Sequence, residues 1–138
     1  MRINPSIHFD GRCRAAFQKY HRVLGGTLET MLTYGESPMA AQVEPGWHDR
    51  IMHATLILGE SELTGADVPP TVYRQPQGFS ITINVESPEH ASHIFTALAE
   101  GGEIKFPFQQ TFWSPGYGML VDEFGIPWEV NGAGTGPV

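Results

Sequence analysis

A single carboxylate, Glu129, lies in an aromatic-rich stretch, residues 112–131. It could be a metal ligand, a general base or a solvated strand residue, and the choice decides whether the chain is an enzyme. Aromatic side chains of this stretch can line an apolar pocket that has a polar group at hand. They are Phe112, Trp113, Tyr117, Phe124 and Trp128. We expect Trp113, Tyr117 and Trp128 to line such a pocket, and Trp113 could instead make a dimer contact. The alternative for Phe124 and Trp128 is the hydrophobic core.

Other reactive side chains give weaker signals. Cys13 falls at the start of a predicted helix, where the helix dipole could lower its pKa, although a single cysteine among packing residues is more typically buried and inert. His53 opens a predicted strand and could line a cleft. His90 and His93 are spaced i, i+3, which permits chelation but is more typical of a solvated helical face. The remaining histidines are His8, His21 and His48. Neither a G-x-S-x-G elbow nor a G-x-x-x-x-G-K-[ST] phosphate loop occurs in the sequence.

Composition excludes several classes of function. The 138 residues carry a formal net charge of −7 and form no basic run, so nucleic acid is not expected as a partner. One cysteine cannot form an intrachain disulfide, and the first residues lack the apolar segment of a secretory signal, which together predict a cytoplasmic protein. Because no apolar run approaches the roughly 18 residues that span a bilayer, no membrane association is expected.

The elements that must position these side chains occur twice. Residues 3–9 predict a strand, residues 12–26 a helix that ends at Gly25-Gly26, and residues 79–85 a second strand. Ser87 is a plausible N-cap for a second helix, which has Pro88 at its first position and ends at a second glycine pair, residues 101–102, about 76 positions after the first. The spacing indicates a duplicated motif.

Strand material follows each glycine pair, at residues 27–35 and 103–113, and each half then closes with a hairpin, at residues 53–67 and 118–130. The sequence therefore predicts an α+β fold of one domain, residues 1–138, built from two βαβββ modules whose curved mixed sheets enclose a cleft. We expect the modules at residues 1–67 and 79–131, a linker at 68–78 and a flexible tail at 132–138. The insertion at residues 36–50 could be a lid or a dimer arm.

Particular motifs within the two modules resemble a known family. The sequence contains 20-YHRVLGG-26 after the first helix and 122-DEFGIPWEVN-131 at the end. This arrangement resembles the vicinal oxygen chelate superfamily, which includes glyoxalase I, bleomycin-resistance proteins and extradiol dioxygenases. The run 110–131 is similar to its PhnB-like branch, through a W-x-x-G-[YF]-G-x-x-x-D-x-F-G-x-x-W block. The matching residues are Trp113, Gly116, Tyr117, Gly118, Asp122, Phe124, Gly125 and Trp128.

The resemblance implies where metal ligands would lie. Metal-binding members place one ligand on each of four strands, and the corresponding positions here are near Pro5 and at Glu62, Ser80 and Glu129. Both histidine positions have lost their imidazole, and two carboxylates with water bind a transition metal weakly. We therefore expect no cofactor, or at most a weakly held divalent metal at Glu62 and Glu129 with His53 as a displaced ligand. Ser80 is expected to line the ligand cleft.

Two classes of function remain open. The favoured hypothesis is a protein that binds a small organic ligand in an aromatic-lined cleft without a complete metal site, either with no turnover or as a sequestering dimer like the bleomycin-resistance proteins. The alternative is a metal-dependent lyase, isomerase or dioxygenase, in which Glu62 and Glu129 are the catalytic candidates. If the two carboxylates approach each other in a dry cavity, at least one pKa rises; otherwise they accept structural hydrogen bonds. A methyltransferase is not supported, and the resemblance implies a homodimer.

Overall fold

The computed structural model describes residues 1–133. The chain divides into two compact units, Met1–Arg74 and Gln75–Val138, and the boundary lies within the predicted linker. Each unit contains one four-stranded sheet and one helix. The predicted tail begins inside the last strand, and its residues 134–138 lie outside the described part of the chain.

The first unit has the order βαβββ. Its elements are β1 Ser6–Phe9, α1 Cys13–Leu24, β2 Thr27–Thr33, β3 Ile51–Leu58 and β4 Ser61–Asp67. The sheet order is β1-β4-β3-β2, with β1 parallel to β4 and the other neighbours antiparallel. Strand β1 begins at Ser6 and is therefore shorter than predicted, although the Pro5 carbonyl still accepts the Thr64 N–H at 3.1 Å. The β3–β4 hairpin, which turns at Gly59, lies within the predicted residues 53–67.

The second unit repeats the plan. Its elements are β5 Ile81–Val85, α2 Pro88–Ala99, β6 Glu103–Gln109, β7 Tyr117–Val121 and β8 Pro127–Gly132. The order β5-β8-β7-β6 and the strand directions match those of the first sheet. The predicted α+β fold with two βαβββ modules is therefore confirmed. Strands β2 and β6 end at Thr33 and Gln109, earlier than the predicted runs.

The two helices begin with different caps. The Ser87 hydroxyl accepts the backbone N–H of His90, as the sequence predicts for α2. Helix α1 has no cap from its own Arg12 side chain. Instead the carboxylate of Asp67, at the end of β4, accepts the N–H groups of Gly11 and Cys13 at 2.9 and 3.0 Å. The cap of α1 therefore comes from 54 residues further along the chain.

Strand periodicity separates a core face from an open face in the second sheet. Leu120, Trp128 and Val130 are at most 1% exposed and face helix α2. Because successive side chains of a strand point to opposite faces, Tyr117 and Glu129 lie on the other face of the same sheet. We call this face, opposite α2, the open face. It carries the candidate site.

The insertion at residues 36–50 folds as part of the first unit. It contains two short 3-10 turns, Ala40–Gln42 and Pro45–Trp47. The Trp47 ring packs edge-to-face on Tyr34, 5.8 Å away, and the Arg50 guanidinium lies 5.2 Å from the Trp47 ring. The choice between a lid and a dimer arm stays a prediction. Within residues 1–133, no helix is long and apolar enough to span a membrane.

Candidate functional site

Glu129 lies at the centre of the open face. Strand β8 pairs it with Thr82 of β5 on one side and with Met119 of β7 on the other. Directly paired residues present their side chains on the same face, so all three belong to the open face. The Glu129 side chain is half-buried.

Two hydroxyl groups hold the Glu129 carboxylate. Ser80 Oγ donates to Glu129 Oε2, and Tyr117 Oη donates to Glu129 Oε1. Thr82 Oγ1 lies 3.5 Å from Oε2, at the limit of a hydrogen bond. Ser80 immediately precedes β5, Thr82 lies in β5, and Tyr117 is the first residue of β7. The carboxylate is therefore fixed between β5 and β7.

These hydrogen bonds shift both pKa values at the site. Donation from Ser80, followed by donation from Tyr117, lowers the pKa of Glu129, and partial burial opposes the shift less strongly. Burial, together with the hydrogen bond to Glu129 and its charge, raises the pKa of Tyr117 to about 12. At neutral pH the pair is a carboxylate anion and a protonated phenol. The site therefore differs from a pair of carboxyl groups that share one proton, in which the pKa of one carboxyl group rises.

An aromatic cluster extends from the Tyr117 ring. Phe106 and Trp113 pack edge-to-face on Tyr117 with ring centroids 5.8 and 5.3 Å away. Phe112 packs on Trp113 at 4.7 Å and is itself 98% exposed. Trp113 is 39% exposed, so a ligand can reach its ring. Tyr117, which donates to the Glu129 carboxylate, thus belongs to a cluster of aromatic rings that is partly exposed to solvent.

A pocket of about 350 Å³ is lined by residues that contact or pair with Glu129. Among its lining residues, Ser80 is the Glu129 donor and Met119 is the strand partner of Glu129. The lining is formed by Gly78, Phe79, Ser80, Lys105, Met119, Leu120, Val121, Pro127 and Trp128. The pocket is large enough for a small organic molecule, and most of its walls are apolar.

The Trp128 side chain lies on the face of the sheet opposite Glu129. The two residues are consecutive in β8, so they point to opposite faces of the sheet. Trp128 is 1% exposed, and its indole Nε1 donates to Asp122 Oδ2 at 2.8 Å. It borders the pocket from within the core. The core alternative for Trp128, and for the 5%-exposed Phe124, matches the structure.

Glu62 lies on β4, the strand of the first sheet that corresponds to β8, but two residues before the position equivalent to Glu129 and with different neighbours. Its Oε2 pairs with the Arg2 guanidinium at 3.2 Å and accepts Asn4 Nδ2 at 3.3 Å. Continuing the β1–β4 register by two residues brings Asn4, and not Pro5, opposite Glu62. Pro5, near the expected first-strand ligand position, is therefore the chain neighbour of the residue that contacts Glu62.

The histidines do not complete a metal site within their units. His53 of β3 lies opposite Ala66 by continuation of the register, four residues along β4 from Glu62, or roughly 13 Å. Its Nε2 lies 3.1 Å from Thr55 Oγ1. His90 and His93 are both exposed on helix α2. No group of three His, Cys, Asp or Glu side chains suited to a metal ion occurs among residues 1–133.

The donor set around Glu129 does not fit the metal ion that the superfamily implies. Both carboxylate oxygens accept hydroxyl protons, and the position of the expected imidazole carries the Ser80 hydroxyl. The carboxylate of Glu62 is paired with a guanidinium. Nitrogen ligands, which provide much of the affinity for zinc, nickel or iron, are not among these partners. The expected weakness of metal binding stays a prediction.

Cys13 is a buried thiol. It is 0% exposed, and burial, with a smaller contribution from the Asp67 charge, raises its pKa well above the usual range. The inert alternative therefore matches the structure, and the alternative of a thiolate activated by the helix dipole is wrong.

Sequence reasoning missed several open-face residues. Phe106, Met119 and Lys105 contribute a ring, an apolar wall and an ammonium group. The alternating period of β7 could have found Met119, two positions after Tyr117. The bulges that interrupt the β6–β7 pairing hide the same signal for Phe106.

Comparison with known proteins identifies the family. The model of the family described as 3-demethylubiquinone-9 3-methyltransferase matches residues 1–131. The chain belongs to this PhnB-like family. The protein YjdN of Escherichia coli (strain K12) is 31% identical over 139 residues, with 95% of each chain covered.

Solved structures support the same assignment. Protein PA1353 from Pseudomonas aeruginosa is 45% identical, with 95% of this chain and 96% of that chain covered and a TM-score of 0.88. The fosfomycin resistance protein FosX from Listeria monocytogenes is 12% identical, with 98% and 94% covered and a TM-score of 0.63, and shares the fold alone. The PhnB-like chain thus has the fold of the vicinal oxygen chelate superfamily, as the resemblance implies.

Proposed function

We propose that this PhnB-like protein binds a small organic molecule on the open face of its second sheet, without a metal ion at Glu129. The supporting observation is the convergence of the Ser80 and Tyr117 hydroxyls on the Glu129 carboxylate, beside a pocket of about 350 Å³. A fixed polar group beside an apolar concavity is the usual composition of a small-molecule site. The polar group sets the orientation of the ligand, and the pocket supplies apolar contact.

The aromatic cluster supports the same proposal. Trp113 and Phe112 keep much of their surface exposed although both are large apolar side chains. Clusters of exposed aromatic side chains are typical of binding surfaces. A ligand that covers Trp113 therefore removes apolar surface from water and gains ring contacts.

The three tryptophans provide a direct test by ¹⁵N–¹H NMR with a library of small fragments. Trp113 reports on the open face, whereas Trp128 is hydrogen-bonded in the core and Trp47 belongs to the first unit. We expect binding fragments to shift the Trp113 indole signal more than the other two. Fragments that shift only the Trp47 signal, or bind equally well to a Trp113→Leu variant, would contradict the proposal.

The metal-dependent alternative has its own measurement. It requires Glu62, Glu129 and His53 to hold one ion that polarises a substrate oxygen. We expect equilibrium dialysis against zinc, nickel, manganese and iron(II) to give no stoichiometric metal. Near-stoichiometric metal that disappears in Glu129→Ala, but persists in Glu60→Ala, would overturn the metal-free proposal. Glu60 is an exposed carboxylate in the β3–β4 turn and serves as the control.

We also propose that the protein forms a homodimer. Phe79, Ile104 and Phe112 are large apolar side chains that are 55, 52 and 98% exposed. Contact with a second copy would remove this surface from water. Light scattering after size exclusion should give twice the mass of one chain. A monomer at tens of micromolar would refute the dimer without affecting the binding proposal.

A further inference from the structure

The Glu129 site presents hydrogen-bond acceptors to a ligand. A hydroxyl group has one hydrogen to donate, and Ser80 and Tyr117 each direct theirs to the carboxylate. The oxygen atoms of these hydroxyls can therefore only accept hydrogen bonds from a ligand. A carboxylate has about four acceptor positions, so Glu129 also retains acceptor capacity. A ligand that complements these atoms must bring N–H or O–H donors.

The charge of the site selects among such ligands. Glu129 is an anion at neutral pH, because its two hydroxyl donors lower its pKa. Lys105 at the pocket wall pairs with Glu103 at 3.2 Å, so these two groups add no net charge. The whole chain has a formal charge of −7. An anionic ligand would meet repulsion here, and a cation would be attracted.

The rings beside the carboxylate favour the same sign of charge. Tyr117 lies between Phe106 and Trp113, and its hydroxyl contacts Glu129 directly. Ring faces attract cations through their quadrupole, most strongly for tryptophan. Trp113 is 39% exposed, so part of its surface is open to such a group.

We propose that the ligand of this site is a protonated organic amine, whose ammonium group donates to Glu129 beside the Trp113 and Tyr117 rings and whose apolar part fills the 350 Å³ pocket. This inference rests on the proposed binding function and adds the chemical class of the ligand. Ser80 and Tyr117 act as positioning residues, because they hold the carboxylate and leave acceptors toward the ligand.

Probes that share a phenylethyl group and differ in their polar group test the ligand class directly. The probes are 2-phenylethylamine, 2-phenylethanol, 3-phenylpropionate and the quaternary trimethyl derivative of the amine, each titrated at pH 7.5 while the indole signal of Trp113 is followed. A probe of this size should bind with a Kd on the order of 1 mM. We expect the amine to bind at least roughly tenfold more tightly than the alcohol, since one charge-assisted hydrogen bond contributes about that much. The quaternary probe should fall between them, because it keeps the charge but has no N–H donor.

Two variants with the same change of charge complete the test. Glu129→Gln should abolish the preference for the amine over the alcohol, whereas Glu60→Gln, in the exposed β3–β4 turn, should leave it unchanged. Spectra of both variants must show the folded pattern. Tyr117→Phe should weaken the preference but keep it, because the carboxylate remains.

The outcomes separate this inference from the function on which it rests. If the alcohol or the carboxylate probe shifts the Trp113 signal with affinity equal to that of the amine, the amine class is wrong and the binding site stands. If none of the four probes shifts that signal at about 10 mM, roughly ten times the expected Kd, both proposals fail. A preference for the amine that survives in Glu129→Gln would overturn the assignment of Glu129.

Discussion

Replacing Glu129 with glutamine removes the charge of the carboxylate and keeps the length of the side chain. In the wild-type protein Ser80 and Tyr117 donate to the two carboxylate oxygens. The amide of glutamine offers one acceptor oxygen, and its NH₂ group cannot accept the second hydroxyl proton. We therefore expect the Glu129→Gln variant to be less stable than the wild-type protein at pH 7.

The magnitude of this loss follows from the two hydrogen bonds. A hydrogen bond to a charged group contributes about 1.5–3 kcal/mol, and a bond between neutral groups about 0.5–1.5 kcal/mol. The difference is roughly 1 kcal/mol for each bond, and solvent screening reduces it because Glu129 is only half-buried. We expect a decrease of about 1–2 kcal/mol in the free energy of unfolding.

The pKa of Glu129 sets the pH window in which this loss appears. The Ser80 and Tyr117 donors hold this pKa below its usual value of 4.5. A carboxyl group with a lowered folded-state pKa stabilises the protein above its unfolded pKa, and this stabilisation is lost as the pH falls through the folded pKa. The difference between wild type and variant should be complete above about pH 5.5 and shrink steadily below about pH 4.5.

Urea unfolding followed by circular dichroism at pH 7, 5 and 3.5 measures this difference. Glu60→Gln, which removes the same charge from an exposed turn, should differ from wild type by less than about 0.5 kcal/mol at each pH. A Glu129→Gln loss that stays constant across the three pH values would refute the role assigned to the charge. Equal stability at pH 7 would refute the hydrogen bonds themselves.

Three further predictions concern the first unit. Gly25→Ala should cost about 1–3 kcal/mol of stability, because its φ of 81° and ψ of −144° lie close to a region that is essentially restricted to glycine. Gly26→Ala should cost about 1–3 kcal/mol more, because a Cβ there would lie 2.2 Å from a backbone oxygen of β3, and equal losses in thermal unfolding would contradict this steric reason. Asp67→Ala should lose about 3–5 kcal/mol in urea unfolding because buried N–H groups lose their acceptor, whereas the exposed Asp10→Ala should lose less than about 0.5 kcal/mol. Cys13 should react with an aromatic disulfide reagent only at the rate of unfolding, and rapid labelling of the native protein at pH 8 would show that the thiol is accessible.

The repeat was predictable because its signals are local. Each glycine pair follows a helix whose apolar residues recur at helical spacing, and Gly25, Gly26 and Gly101 all have positive φ. The cap at Ser87 depends on residues three positions apart. Interactions between residues that are close in the sequence produce local sequence patterns, so the elements and their order could be predicted from the sequence.

The cap of helix α1 was not predictable for the opposite reason. Asp67 accepts backbone N–H groups that precede it by more than fifty residues, and its second oxygen accepts Ile51 N at 2.9 Å. Only the parallel pairing of β1 with β4 brings these groups together. A side chain that serves a distant helix has no signature near that helix in the sequence.

The candidate site was predicted in part, because spacing along a strand does not fix which face a side chain occupies. The family motif led to Glu129, Ser80 and Tyr117, which the structure brings into direct hydrogen bonding. It also led to Trp128, which lines the pocket from the core face of the sheet. In a strand, a displacement of one residue reverses the face. Spacing along the sequence therefore predicts which strands form a site more accurately than it predicts which of their side chains point into it.

The two modules show how carboxylates on equivalent strands of a repeated fold acquire different electrostatics. Glu62 and Glu129 lie on equivalent strands, and each is contacted by side chains from the neighbouring strand or from the residues that precede that strand. Around Glu62 one of these side chains is the Arg2 guanidinium, which offsets the negative charge. Around Glu129 the donors are neutral hydroxyls, which hold the carboxylate in its ionised form and leave its charge uncompensated. A neutral donor holds an anion in place without neutralising its charge, so Glu129 keeps a negative charge that can attract a cationic ligand. The charge of Glu62 is instead offset by its ion pair with Arg2.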